Sequence, residues 1–227
     1  MAKTEKKVIA IIVEGPTDED AIGSILKAYF SSEEIQFVVI HGDITLQKYV
    51  NAGNIIRVID EQIHIMMNRY GYHDADMKQI FHILDMDGVC ILDEDVREAK
   101  QMTSIKYYLD HIETPDVGFI RERNHRKSDI LFKLSHTTSV HRIPYRAFYN
   151  SRNLEHALYG IADDMSDDEK MELADDFAEK YEEDLEGFLR RIGSADIAVR
   201  GTYQETWKFI QNGHHSLERH SNMHLMF

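Results

Sequence analysis

Four short apolar segments, separated by sequence with helical periodicity, constrain the fold of this chain more than any other feature. The segments are rich in β-branched and aromatic residues and cover residues 8–14, 35–41, 79–85 and 143–149. Apolar residues at three- and four-residue spacing lie between them, at about 18–30 and 54–70. Strands that alternate with helices are typical of right-handed crossovers. We therefore expect an α/β fold with a mostly parallel sheet flanked by helices.

The remaining sequence predicts an insertion and an extension. Residues 94–142 separate the third and fourth segments by more than a simple connection needs, and helix-like patterns near 95–112 and 122–135 predict a helical insertion. After the fourth segment the pattern is helical only. We therefore expect a main domain at 1–162, with its insertion at about 94–142, and a helical C-terminal extension at 163–227.

Charge is unevenly distributed along the chain, whose formal net charge is −14. Residues 163–186 hold thirteen acidic and two basic residues, and an apolar stripe that includes Leu173, Phe177 and Tyr181 predicts an amphipathic helix packed on the rest of the protein. Residues 121–142 hold six Arg or Lys against two acids. Such a basic stretch suits a phosphate backbone, although a solvated helix face is an open alternative.

The single cysteine, Cys90, excludes a disulfide framework and a multi-cysteine zinc site. The N-terminal sequence MAKTEKKVIAII lacks the long apolar core of a signal peptide, and the longest apolar runs have strand length rather than the length of a membrane span. We therefore expect a cytoplasmic protein without a membrane partner. The C-terminal histidines fit no standard zinc spacing, which favours ordinary surface or hydrogen-bonded roles for His215, His220 and His224.

Carboxylates follow the first and the third apolar segments. Glu14 and Asp18 stand in VEGPTDE, and Asp85 and Asp87 stand in ILDMDG. The carboxyl ends of parallel strands open onto one crevice, and a two-residue spacing on an extended segment places both aspartates on the same side. If the first and third strands are neighbours, the four side chains meet. Crowded oxygen ligands of this kind suit Mg²⁺ or Mn²⁺, so we predict a metal site there.

The two acidic motifs together resemble a known family. IIVEGPTDEDAI, followed some seventy residues later by ILDMDG, resembles the Toprim domain of topoisomerases, primases and nucleases. The motif VEGPTDE is most similar to the nuclease domain of the OLD (overcoming lysogenization defect) family and its relatives in bacterial anti-phage defence. In AFYNSRNLEHAL the last strand leads into a helix that bears Glu155, which is a looser match to the final acidic element of those nucleases. The resemblance covers about residues 8–160 and implies a Toprim-like, Rossmann-like sheet.

The resemblance implies a metal-dependent nuclease that hydrolyses phosphodiester bonds in DNA or RNA through a two-metal site. The residues carried over as catalytic and as ligands of Mg²⁺ or Mn²⁺ are Glu14, Asp18, Asp85, Asp87 and Glu155. The candidates for holding the nucleic acid are Arg123, Arg126, Lys127, Lys133, Arg146 and Arg152.

The sequence also departs from the family pattern. Gly88 follows Asp87 directly, whereas many members have their glycine three residues after the second aspartate. The chain lacks G-x-x-x-x-G-K-[ST], so any ATP-driven control would come from a separate ATPase or regulator protein. Assembly into a homo-oligomer is open.

Two other functions use the same residues. FHILDMDGVC also resembles the first motif of haloacid-dehalogenase-type phosphatases, in which Asp85 would be the nucleophile and Asp87 the general acid/base. That motif normally opens its domain, and no convincing downstream Lys motif is found. The third alternative is a non-catalytic module that binds nucleic acid or protein, with the acidic segment 163–186 mimicking DNA or docking on a basic partner.

Overall fold

The structure, a computed structural model, describes residues 6–161 and 165–227. In chain order, its strands are β1 (Val8–Val13), β2 (Glu34–Val39), β3 (Met77–Asp85), β4 (Val96–Glu98), β5 (Lys106–Tyr107), β6 (Ile112–Thr114), β7 (Ser139–Val140) and β8 (Ile143–Asn150). The helices are α1 (Pro16–Tyr29), α2 (Ile55–Tyr70), α3 (Val117–Ser135), α4 (Leu154–Tyr159), α5 (Asp167–Tyr181), α6 (Leu185–Ile192) and α7 (Tyr203–Ile210). Short 3₁₀ helices lie at Ile44–Leu46, Asp74–Asp76, Asp93–Asp95 and Met223–Met226.

The main sheet has the strand order β2-β1-β3-β8-β7. Its first four strands are parallel, and only the short β7 runs antiparallel to β8. The predicted α/β fold with a mostly parallel sheet is confirmed, and β1 and β3 are neighbours, which is the condition for the acidic residues to meet. Because β1, β3 and β8 are parallel neighbours, the residues that follow their carboxyl ends meet at one edge of the sheet.

Side-chain alternation along β1 supplies both faces of the sheet with core residues. Val8, Ala10 and Ile12 belong to the cluster that α2, α3 and α7 cover. Ile9 and Ile11 belong to the opposite cluster, which α1, α4, α5 and α6 cover. The sheet is therefore a central layer between two layers of helices. Within the described residues, no helix is both long enough and apolar enough to cross a membrane.

The insertion differs from the sequence expectation. The helix predicted near 95–112 is wrong: β4 and β6 pair parallel, β5 pairs antiparallel to β6, and the three strands form a small second sheet. The burial of Ile112 and Thr114 on either side of a half-buried Glu113 follows the two-residue period of a strand. Helix occurs in the second half of the insertion, where Asp116 caps α3 by accepting a hydrogen bond from the Phe119 amide at 2.9 Å.

The C-terminal extension packs on the face of the sheet that α1 covers. Phe177 and Tyr181 of α5 are buried in one cluster with Ile22 and Ile25 of α1, which confirms that the apolar stripe packs on the protein body. The acidic segment is divided between two helices, because the Asp184 side chain accepts a hydrogen bond from an amide of α6 and begins a new helix there. The expected boundary between residues 162 and 163 lies outside the described residues.

Candidate functional site

Glu14 and Asp85 lie side by side at the carboxyl edge of the sheet. Glu14 follows the last residue of β1, and its carbonyl accepts a hydrogen bond from Gly42 at 2.9 Å. Its Oε1 accepts a hydrogen bond of 3.2 Å from the Asp85 amide. Burial, followed by the charge of Asp43, raises the pKa of Glu14 well above its usual value. Burial, followed by the charges of Glu14 and Asp18, raises the pKa of Asp85 in the same way.

Asp18 joins this pair from the first turn of α1. Pro16 occupies the first helical position, where its missing amide hydrogen costs nothing. The Gly15 amide donates a hydrogen bond of 2.9 Å to Asp18 Oδ2, so Asp18 also caps the helix. Burial raises the pKa of Asp18 to about 6 and the charge of Glu155 adds to the rise, although the Gly15 hydrogen bond opposes it. The carboxyl group therefore has both a capping role and a place in the acidic crevice.

Glu155 closes the crevice from α4, which begins after Asn153 directly beyond β8. Its side chain is buried, and Lys170 of α5 lies 3.4 Å from its Oε1. The charge of Glu155 raises the pKa of both Asp18 and Asp85. The structure thus brings together all five predicted acidic residues, and we call four of them the carboxylate cluster: Glu14, Asp18, Asp85 and Glu155.

Asp87 reaches the site by a turn and not by an extended segment. Its φ angle of 49° lies in the left-handed region, so the expected strand-like placement beside Asp85 is wrong. The Asp87 amide donates to the Arg152 carbonyl at 3.0 Å, which anchors the turn to the chain beyond β8. Gly88 has a φ of 65°, and a Cβ there would lie 2.4 Å from Leu217 Cδ2. Both observations favour glycine directly after Asp87.

Lys127 of α3 is fully buried against Asp87. Its Nζ donates a hydrogen bond of 2.6 Å to Asp87 Oδ2 and another to Asp43 Oδ2. Burial alone would lower the pKa of Lys127, but Asp87 and then Asp43 raise it above its usual value. Burial alone would raise the pKa of Asp87, but Lys127 and then Arg123 lower it below its usual value. Lys127 therefore stays charged and holds Asp87 ionised.

Asp43 is a site residue that sequence reasoning missed. It follows β2 by four residues and its Oδ1 accepts hydrogen bonds from the Thr45 amide at 2.7 Å and the Thr45 hydroxyl at 2.6 Å. The rule that found Glu14 and Asp85, an acid just beyond the carboxyl end of a parallel strand, also applies to Asp43. Applied to the second strand, it would have identified this residue.

Two arginines form a wall beside Asp87. Arg123 is buried and donates hydrogen bonds to the Asp87 carbonyl at 3.1 Å and to the Tyr107 hydroxyl at 3.0 Å. Arg152 is also buried, with its guanidinium over the Tyr107 ring at 4.6 Å, and its charge helps to lower the pKa of Asp87. The basic stretch of residues 121–142 is expected to suit a phosphate backbone or to form a solvated helix face, but the side chains of Arg123 and Lys127 are buried in the protein.

The other predicted cations lie elsewhere. Arg126 is partly buried and donates a hydrogen bond of 3.0 Å to the Leu46 carbonyl. Lys133 is exposed and lies six residues beyond Lys127, about 9 Å along the helix at 1.5 Å per residue. Arg146 is exposed in the middle of β8, where its guanidinium lies 4.7 Å from the centre of the Tyr203 ring. The structure does not bring Lys133 or Arg146 to the carboxylate cluster.

Comparisons of the chain with protein-family models, with curated proteins and with solved structures gave no significant match. What the site does is therefore inferred from its own chemistry.

Proposed function

We propose that the chain is a metal-dependent nuclease that hydrolyses phosphodiester bonds in DNA or RNA. The observation that carries this proposal is the convergence of Glu14, Asp18 and Asp85 with Glu155 at the carboxyl edge of three parallel strands. Ligands bind at this edge in open α/β sheets. Arg123 and Arg152 lie beside Asp87 and add positive charge next to these acids, whereas Lys127 is already paired with Asp43 and Asp87.

The donor set fits a divalent cation. Carboxylate oxygens are the ligands that Mg²⁺ and Mn²⁺ prefer. The pKa values of Glu14, Asp18 and Asp85 are all raised, mainly by burial, so holding these groups ionised costs free energy that a bound cation offsets. Glu14, Asp18, Asp85 and Glu155 would hold the metal, and Asp87 lies close enough to affect the pKa of Asp85.

Each residue has a role that follows from its contacts. When bound, a divalent cation polarises the phosphoryl group and lowers the pKa of a bound water. The Asp85 amide donates a hydrogen bond to the Glu14 side chain, and this contact holds the Glu14 carboxyl group beside Asp85. Lys127 keeps Asp87 ionised, and Arg152 adds positive charge where a phosphate oxygen would gain negative charge.

We also infer that the sheet is Toprim-like. The support is a glutamate after β1, an Asp-x-Asp motif at the end of β3, and the adjacency of these two strands. This proposal extends to a role in anti-phage defence and to control by a separate ATPase or regulator protein. Both extensions rest on the resemblance of VEGPTDE to the OLD family.

A phosphatase is the second candidate, and one observation favours it. Sequence reasoning found no lysine to support the aspartate motif, but the fold places the Lys127 ammonium 2.6 Å from Asp87 Oδ2. A buried cation beside an Asp-x-Asp motif suits a phosphomonoester as well as a phosphodiester.

The test is a hydrolysis assay with purified full-length protein. Supercoiled plasmid, single-stranded DNA, single-stranded RNA and a small aryl phosphate would each be incubated with Mg²⁺, with Mn²⁺ or with EDTA. We expect cleavage of a nucleic acid that requires the metal and is lost in Asp85→Asn. Asp175→Asn, at an exposed position of α5, is the matched control and should retain activity. Turnover of the aryl phosphate alone would favour the phosphatase, and inactivity on every substrate would contradict both.

A further inference from the structure

A second cluster of ligand-type side chains lies at the opposite end of the sheet. Asp60 and His64 are one turn apart on α2, and His141 occupies the turn between β7 and β8. One ligand atom from each of these three residues lies within 4.8 Å of the others. His141 precedes β8, whereas the carboxylate cluster follows it, so the length of the strand separates the two groups by roughly 25 Å at about 3.3 Å per residue.

The oxygen at the centre of this cluster lacks a proton donor among the described residues. Asp60 Oδ1 is buried and makes no hydrogen bond there. His141 Nδ1 nevertheless lies 3.2 Å from it, and His64 Nδ1 lies 3.4 Å from it. Neither contact has hydrogen-bond geometry, so three potential ligand atoms converge without satisfying one another. A buried polar atom in this state is costly unless another group compensates it.

Asp74 is placed to orient His141 through its second ring nitrogen. The Nε2 of His141 lies at a hydrogen-bonding distance of 3.1 Å from Asp74 Oδ1. A neutral imidazole that donates through Nε2 has its lone pair on Nδ1, and Nδ1 is the atom that approaches Asp60. A carboxylate that orients a histidine through its second nitrogen is the usual arrangement around a metal-bound histidine.

Two of the three separations between ligand atoms match those around a tetrahedral metal ion, and the third is within 4.8 Å. Ligand bonds of about 2.0–2.1 Å place neighbouring ligand atoms of a tetrahedron about 3.3–3.4 Å apart. The distances from Asp60 Oδ1 to the two histidine nitrogens are 3.2 and 3.4 Å. His141 has a φ of 49° and Arg142 a φ of 63°, as the two central residues of a two-residue hairpin turn require, so the turn between β7 and β8 fixes the position of His141.

We propose that Asp60, His64 and His141 bind a transition-metal dication of the Zn²⁺ type, with Asp74 orienting His141. His64 Nδ1 also lies 3.0 Å from the Asp60 carbonyl, and metal binding would replace that contact. The ion would link α2 to the turn that leads into β8, and its fourth position would take water or an external ligand. Mixed nitrogen and oxygen donors favour Zn²⁺ over Mg²⁺, in contrast to the all-carboxylate crevice.

Direct polar contacts of His141 with Asp60 and Asp74 are the competing explanation, and they need no metal. Metal binding distinguishes the two. Full-length protein in excess Mg²⁺, which occupies the carboxylate cluster, would be titrated with Zn²⁺ by calorimetry and with Co²⁺ by visible absorption. We expect one equivalent of Zn²⁺ to bind and Co²⁺ to give the intense bands of a tetrahedral site with nitrogen ligands.

The variants are chosen to keep the fold. His141→Asn retains a residue that tolerates the left-handed conformation, and His64→Gln retains a polar side chain on α2. Each should weaken Zn²⁺ binding at least tenfold, and Asp74→Asn should weaken it by about 10–100-fold. His125→Gln, at an exposed histidine of α3, is the control and should bind like the wild type. Equal Zn²⁺ affinity in His141→Asn and the wild type, or no binding by the wild type, would overturn the proposal.

Discussion

The backbone amide of Asp85 donates a hydrogen bond of 3.2 Å to the Glu14 side chain, which joins the ends of two neighbouring parallel strands through a carboxylate. The contact fixes Glu14 beside Asp85, yet burial raises the pKa of both carboxyl groups. The fold therefore holds together groups that repel one another once they are ionised. In the proposed metal site, the repulsion between these groups lowers the free energy of unfolding, and a bound cation would offset it.

Asp85→Asn should stabilise the protein in EDTA, and the gain should grow with pH. The pKa of Asp85 is raised in the folded state, so its contribution to stability is fully present below the pKa of the unfolded chain and is lost as pH rises through the folded pKa. Removing the charge removes this loss. Thermal unfolding followed by circular dichroism between pH 4 and pH 8 should show a gain of about 1–2 kcal/mol at the upper end.

The exposed Asp175→Asn is the control for that measurement and should follow the wild type at every pH. A wild-type protein whose stability rises with pH over this range, with Asp85→Asn less stable throughout, would show that Asp85 is ionised and stabilising in the fold.

Lys127→Met should destabilise the fold by about 3–5 kcal/mol, since it leaves Asp43 and Asp87 without the buried cation that they share. Urea unfolding at neutral pH measures the change. Lys133→Met alters an exposed lysine on the same helix and should change stability by less than about 0.5 kcal/mol. Equal effects of the two substitutions would mean that the Lys127 ion pairs contribute little.

Gly88→Ala should destabilise the fold more than Gly71→Ala does. Both glycines have positive φ angles, but a Cβ at Gly88 would meet Leu217 at 2.4 Å, whereas a Cβ at Gly71 would have nothing within 4 Å. Gly71→Ala should therefore cost only backbone strain, about 1 kcal/mol. Gly88→Ala should cost more in urea unfolding, because the turn that carries Asp87 or the Leu217 side chain would have to move. Similar values for both variants would contradict the close packing at Gly88.

Phe177→Ala should destabilise the protein by about 3–5 kcal/mol, the usual cost of removing a buried phenylalanine. Phe177 is 6% exposed, and its ring centre lies 4.7 Å from that of Tyr181. Met171→Ala, at a residue of α5 that is 51% exposed, is the control and should have little effect. If Phe177→Ala unfolds at the same urea concentration as the wild type, the acidic helix α5 does not contribute to the core.

Much of the fold could be predicted because its signals are local. The apolar runs that became β1 and β3 and the helical period of α2 each lie within one stretch of sequence. The convergence of Glu14 with Asp85 then followed from a general rule about parallel strands. The small sheet of the insertion could not be predicted in this way, because strands of two or three residues are too short to show a period.

The long-range contacts of the two sites could not be predicted from local pattern. Lys127 is 84 positions from Asp43, and its basic neighbours suggested a solvated helix face until the fold placed it between two aspartates. Asp60 and His64 are visible as a pair on one helix, but His141 joins them from a distant turn. Sequence reasoning looked for metal-binding histidines at the C-terminus, where histidines are dense, and not where three elements of the fold meet.

Binding of Mn²⁺, measured by electron paramagnetic resonance of the free ion, tests the carboxylate cluster most directly. We expect the wild type to remove Mn²⁺ from solution at neutral pH and to release it as pH falls, because Asp18, whose pKa is raised to about 6, takes up a proton. Asp85→Asn should lose most of this binding, while His141→Asn should retain it. Equal Mn²⁺ binding by Asp85→Asn and the wild type would contradict a metal site at the ends of β1 and β3.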